Sequence, residues 1–177
     1  MDIINIEIKA TGISIGHIEK LVVPIATRNL GIDHQIDTYY KVTEGRLKLR
    51  EGNVENSLIR YNREEVEGLK ESSVILYRTT NTASLKKLLN SLFEELVVVE
   101  KRRKIFYIDN VKIHLDQVNG LGEFVEIEAI SEEGSHELSF LEKQCKEFMT
   151  LFGITDNDLV SASYSDLLLN MQHDTED

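Results

Sequence analysis

Cysteine is nearly absent from this 177-residue chain, with Cys145 standing alone. A single thiol excludes an intramolecular disulfide framework and any multi-cysteine zinc site, and it fits a reducing compartment. Long apolar runs are also missing. No stretch approaches the roughly 20 residues that a membrane-spanning helix needs. The opening residues, MDIINIEIKA, offer neither a basic n-region nor an apolar segment of signal-peptide length. The expectation is a cytoplasmic protein without a membrane partner. Basic residues are in deficit, 20 against 31 acidic ones, for a formal charge of −11. A fold-wide basic face for nucleic acid is therefore not expected. No repeat recurs at a solenoid period. The length suits one domain, 1–171, able to bury a core without staples, with 172–177 as an acidic, frayed tail.

What is present is alternation. From Ile3 to Ala10, Ile4, Ile6 and Ile8 share one face while Asn5, Glu7 and Lys9 share the other, which predicts a strand. Ser14 can cap a helix carrying Ile18, Leu21, Val22 and Ile25, with Gly31 as a stop and Pro24 as a kink or early end. Strands are predicted at His34–Val42, Arg46–Arg50, Ser57–Arg63 and Ser73–Thr79, separated by turn residues such as Glu44-Gly45 and Gly52-Asn53. A helix from Thr82 follows. Further strands are predicted at Val97–Ile108, Val111–Val118 and Glu123–Ile130, with Asp109-Asn110 and Asn119-Gly120 as hairpin turns. Ser135–Phe152 returns to helical period and Gly153 ends it; a short helical segment spans Ser163–Leu169. Eight strands joined mostly by short turns imply antiparallel pairing and suffice to close a barrel.

The strands share a charged face. Arg46, Lys48 and Arg50 point one way; Lys101 goes with Arg103, Lys112 with His114 and Asp116, and Glu126 with Glu128. For any single strand a solvated outer face is the simplest account. Repeated over the whole set, like charges two residues apart repel unless something binds between them. A barrel with its apolar face outward under helices and a charged lumen explains both faces. Its basic residues would bind a polyanion and its glutamates the accompanying metal. Cys145 lies on an apolar helical stripe and reads as a structural thiol. His114 reads as a structural hydrogen-bonding residue, and Gly120-Leu-Gly122 as a hairpin turn rather than a phosphate loop.

These residues resemble a known family. NIEIKA resembles the Glu-x-Glu-x-Lys opening of the CYTH superfamily, the triphosphate tunnel metalloenzymes. HQIDTYYKVTEGRLKLRE, LIRYNRE, NVKIHLDQVNGLGEFVEIE and SYSDLLL resemble, in order, its class IV adenylyl cyclase branch, so the likeness runs from Asn5 to Leu169. The resemblance implies an α+β, mainly antiparallel fold: an eight-stranded closed barrel forming a tunnel, with a polar, charged lumen and helices packed outside. It implies binding of ATP, or of another triphosphate such as thiamine triphosphate or tripolyphosphate, with Mg²⁺ or Mn²⁺, and makes a homodimer plausible. Carried over by position, Lys9, Arg46, Lys48, Arg63, Lys101 and Arg103 are the implied triphosphate-binding residues. Glu7, Glu126 and Glu128 are the implied metal ligands, and Glu7, Lys9 and Asp116 the implied catalytic residues, with Asp37 and Glu128 as other base candidates. The first signature glutamate is Asn5 here, which offers a carbonyl oxygen but no charge. Cyclisation of ATP is the first expectation; a triphosphatase or a non-catalytic nucleotide or polyphosphate binder are the alternatives.

Overall fold

The computed structural model describes residues 2–63, 70–132 and 135–174. Its strands are β1 (Asp2–Thr11), β2 (Arg28–Tyr40), β3 (Arg46–Glu51), β4 (Ser57–Arg63), β5 (Lys70–Arg78), β6 (Glu95–Ile108), β7 (Val111–Val118) and β8 (Gly122–Glu132). They pair antiparallel and close in the order β1-β5-β4-β3-β2-β6-β7-β8. Closure leaves no strand edge open, which suits a protein with this many short strands. The helices are α1 (Ile15–Val22), α2 (Thr82–Leu92), α3 (Leu138–Phe152) and α4 (Tyr164–Asp174). None of them is long and apolar enough to cross a membrane.

In β1, β7 and β8 the apolar half of the alternation faces outward. Ile6, Ile8 and Ala10 of β1 join Ile113 and Leu115 of β7 and Val125, Ile127 and Ala129 of β8 in one buried layer. Ile18 and Val22 of α1 and Leu141, Cys145 and Phe152 of α3 cover it. Cys145 is fully buried, its S–H donating to the Ile6 carbonyl at 3.4 Å, and burial pushes its pKa up to about 12. It is an inert packing residue, as the stripe implied. Leu89 of α2 packs on Tyr40 and Leu49 to cover a second patch of wall.

α4 does something different. Tyr164, Leu167 and Leu168 pack with Tyr39, Val97, Val99, Val118 and Phe124, residues on the inward parity of their strands. This helix and its approach form an apolar floor across one end of the barrel. The helix continues through Asp174 and so absorbs Gln172, His173 and Asp174 of the expected tail; residues 175–177 lie outside the described residues.

Two helix boundaries differ from the sequence reading for local reasons. α1 ends at Val22, ahead of Pro24, not at Gly31. Proline cannot donate the next backbone hydrogen bond, and the chain turns, with the Ile25 and Ala26 N–H groups donating to Val22 O, before β2 begins at Arg28. Gly31 instead sits inside β2 with φ 79°, at a register shift against β6, where Asn29 Oδ1 accepts its N–H at 2.8 Å. α3 starts at Leu138, not Ser135, because Ser131 ties the preceding turn: its hydroxyl accepts from His136 N at 3.0 Å and donates to His136 O at 3.1 Å. Gly153 does cap α3 in the left-handed conformation, φ 69°.

Candidate active site

The polar half of the alternation in β1, β3, β7 and β8 faces a lumen of about 590 Å³. Six cations on its wall share four carboxylates. Asp37 of β2 is the hub: Arg50 donates to it twice at 2.8 Å, Lys101 once at 2.8 Å and Lys48 once at 3.0 Å. Asp116 accepts a fork from Arg103 at 2.7 and 2.5 Å, and the Tyr164 hydroxyl at 2.7 Å. Glu126 takes Arg103 at 2.6 Å, His114 at 3.3 Å and Lys9 at 3.3 Å. Glu55 takes Lys112 at 2.5 Å and Arg50 at 3.2 Å. Three cations, Lys48, Arg50 and Lys101, crowd onto the single carboxylate of Asp37, and that grouping suits this part of the wall to an anion.

The strands explain these placements. Register sets Asp37 beside Arg50 across β2 and β3, and Arg103 beside Asp116 across β6 and β7. Glu55 arrives from the loop after β3. Asp33, fully buried, pins that loop by accepting the N–H groups of Val54 and Glu55 at 2.9 and 3.0 Å. Gly52 permits the approach, since a Cβ there would lie 2.6 Å from Asp33 Oδ1.

Of the residues singled out from the sequence, Glu7, Lys9, Lys48, Lys101, Arg103, Glu126 and Glu128 line this one cavity. Arg46 does not line it: its guanidinium is forked onto Asp166 of α4 at 2.8 and 3.0 Å and serves to dock the floor helix. Asp116 does not line it either; it is fully buried behind Arg103, both oxygens engaged, and so orients that arginine. The side chain of Arg63 lies outside the described residues. Glu7, Glu126 and Glu128 do not converge as a three-carboxylate cage, and no three His, Cys, Asp or Glu side chains do so among the described residues. The reason is visible at Glu126, whose oxygens are turned to Arg103, His114 and Lys9. Arg50, Lys112 and Glu55 complete the wall. Strand parity beside Lys48 and His114 signals the first two, whereas Glu55 sits in a loop, where parity carries no information.

Titration behaviour follows from crowding. Burial opposes ionisation of Asp37, but Arg50, Lys101 and Lys48 outweigh it and hold the carboxyl well below the ordinary range. Burial, reinforced by Arg50, Arg103 and Lys48 and only partly offset by Asp37, brings Lys101 down to about 7. Burial and Arg103 likewise lower His114. A polyanion entering the lumen should push Lys101 back up. Binding would then be insensitive to pH below about 7 and weaken above it, by up to roughly tenfold per unit, as a proton must be taken up. Calorimetric titration with tripolyphosphate between about pH 7.5 and 9, in two buffers of different ionisation enthalpy, measures this proton uptake directly. A flat profile with no uptake would eliminate Lys101 as the titrating group.

Residues 4–164 match the CYTH domain. The chain belongs to the CYTH domain family. Solved structures agree on the fold. A conserved hypothetical protein from Pyrococcus furiosus superposes with a TM-score of 0.76 at 20% identity, over 92% of this chain and 99% of its own. An adenylate cyclase candidate from Vibrio parahaemolyticus does so with a TM-score of 0.77 at 18% identity, over 93% and 97% of the two chains. A third, an adenylyl cyclase candidate from Hippeastrum described as having a dominant triphosphatase activity, has a TM-score of 0.63 at 14% identity over 98% and 96%. None of the curated proteins matches the sequence significantly. CYTH enzymes act on triphosphates and are generally dependent on a divalent metal.

The lumen has a place suited to such a cation. Glu7 and Glu128 are direct cross-strand partners on the inward face of β1 and β8, with Lys112 beside Glu128 on β7, so two carboxylates come together on this part of the wall. Asn5 Nδ2 donates to Glu128 at 2.5 Å, which leaves Asn5 Oδ1 buried with no hydrogen-bond partner among the described residues. Two carboxylates and an amide oxygen would offer the all-oxygen ligation that Mg²⁺ or Mn²⁺ takes, with ligand phosphate oxygens to complete the shell.

Proposed function

We propose that this CYTH protein is a divalent-cation-dependent enzyme that cyclises ATP to cyclic AMP and pyrophosphate. The observation that carries the reading is the set of six lumen cations sharing four carboxylates, in a cavity closed at one end by α4. Phosphoryl transfer needs little covalent help from protein; it needs in-line positioning and neutralisation of charge on the nonbridging oxygens. Lys48, Arg50, Lys101 and Lys112 can release carboxylate contacts to a triphosphate without leaving the wall. Arg103 is held by Asp116 through Nε and Nη2, which fixes the direction of its remaining Nη1 donors. Lys9 sits at the floor, over the Tyr164 ring at 4.3 Å and against Glu126, where it meets the far end of a triphosphate. A cation held by Glu7, Glu128 and Asn5 Oδ1 would polarise the phosphoryl oxygens. In cyclisation the ribose 3′-oxygen bonds to the α-phosphorus as the bond to the β-phosphate oxygen breaks. The hydroxyl proton is released and pyrophosphate leaves with the bonding pair.

Hydrolysis of the same triphosphate is the second reading, favoured by the dominant triphosphatase activity of the Hippeastrum neighbour. It differs only in that water attacks the terminal phosphorus. Incubation with ATP and Mn²⁺, followed by chromatography, separates the two. Cyclic AMP with pyrophosphate is the expected pair of products; ADP with phosphate would establish the hydrolase instead. Unchanged ATP with both Mg²⁺ and Mn²⁺ would overturn the enzymatic reading.

A further inference from the structure

The lumen wall is not cationic all round. In the barrel order β5 stands opposite β6, and β4 opposite β7. Where β6 and β7 turn Lys101, Arg103, Lys112 and His114 inward, the middle of β4 and β5 turns in Ile59, Val74 and Leu76, with Tyr61 beside Val74 and with Ser57 and Arg78 at the far end. Ile59 is the cross-strand partner of Leu76, and Val74 that of Tyr61, so the three aliphatic side chains make one continuous strip. Phosphate oxygens gain no partner from such a strip and lose water against it. A planar organic ring gains from the same desolvation. The cavity, at about 590 Å³, is also of the size that takes an organic ligand rather than an inorganic anion alone.

We propose that Ile59, Val74 and Leu76 form the subsite that seats the organic ring of the ligand while the opposite wall grips its phosphates. The lumen therefore selects a ring-bearing triphosphate over inorganic tripolyphosphate. This inference rests on the triphosphate reading above and adds a specificity to it. It runs against simple electrostatics, since tripolyphosphate carries more charge per atom and cations alone would favour it.

The test is calorimetric binding in Mg²⁺ of two probes, α,β-methylene-ATP and inorganic tripolyphosphate, to the wild type and to Leu76→Gln and Val74→Thr. The wild type should bind the nucleotide analogue at least about tenfold more tightly, and each variant should lose roughly 5- to 30-fold for the analogue, the range a changed apolar pocket contact produces. Tripolyphosphate affinity should stay within about twofold throughout, because the strip never contacts phosphate. Val74→Thr is nearly isosteric and keeps the test open if Leu76→Gln fails to fold. Equal or tighter binding of tripolyphosphate by the wild type would overturn the proposal. So would variants that weaken both probes alike. Failure of both probes to bind the wild type is a different result, and would overturn the triphosphate reading itself.

Discussion

Asp37→Asn should lower the melting temperature by on the order of 10 °C, and tripolyphosphate or ATP should restore most of it. Asp37 is 1% exposed and is the shared partner of Arg50, Lys48 and Lys101. Removing one member of a buried charge network leaves the others uncompensated, which typically costs about 3–5 kcal/mol. A bound polyanion supplies the missing charge to the same three cations, so the variant should gain more from ligand than the wild type does. Acid sharpens the distinction. The carboxyl is depressed in the folded state, so its contribution is complete above the unfolded value of about 4 and is lost as pH falls toward the folded one. The variant should therefore lose less stability than the wild type below about pH 4. A small melting shift, with no excess ligand rescue, would show that the three cations are satisfied elsewhere.

Glu128→Gln should abolish turnover, by at least about 100-fold in kcat, while leaving triphosphate binding largely intact. Loss of a partner that merely orients a metal ligand already costs about 10- to 100-fold, and Glu128 is assigned as a ligand itself. The substitution keeps the shape and the contact with Asn5 but removes the charge that faces Glu7. It also removes repulsion toward an incoming anion, so affinity for triphosphate should hold or rise. The informative readout is Mn²⁺ dependence: the residual activity should need far more metal to saturate. If the variant is less stable yet shows an unchanged Mn²⁺ profile, Glu128 is only a counter-ion for its neighbour Lys112, across the β7–β8 ladder.

Much of the barrel was legible in strand parity. Asn5, Glu7 and Lys9 alternate with Ile4, Ile6 and Ile8; the polar set faces the lumen, while Ile6 and Ile8 pack under α1 and α3 and Ile4 is exposed. That period survives because each face meets a uniform environment along the whole strand. What parity cannot supply is the partner. Arg46 shares its face with Lys48 and Arg50, yet it lies at the end nearest α4 and is captured by Asp166, some 120 residues away in sequence. Asp116 shares a face with His114, yet the Arg103 fork and Tyr164 seal it from the cavity. Such choices depend on register between strands and on where the floor helix lands, which single-strand patterns do not encode. Glu55 was invisible because a loop has no period, and its position depends on Asp33 and Gly52. Gly31 looked like a helix stop because glycine serves both helix ends and bulges; Pro24 had already ended the helix.

The central claim is that the lumen recognises a triphosphate as such, and thermal unfolding with matched adenine nucleotides tests it most directly. A ligand at about 100 times its dissociation constant adds roughly 2.7 kcal/mol to stability. ATP in Mg²⁺ should therefore raise the melting temperature by several degrees, on the order of 5–10 °C, while AMP at the same concentration moves it by less than about 1 °C. Equal shifts for AMP and ATP, or none for either, would contradict the account.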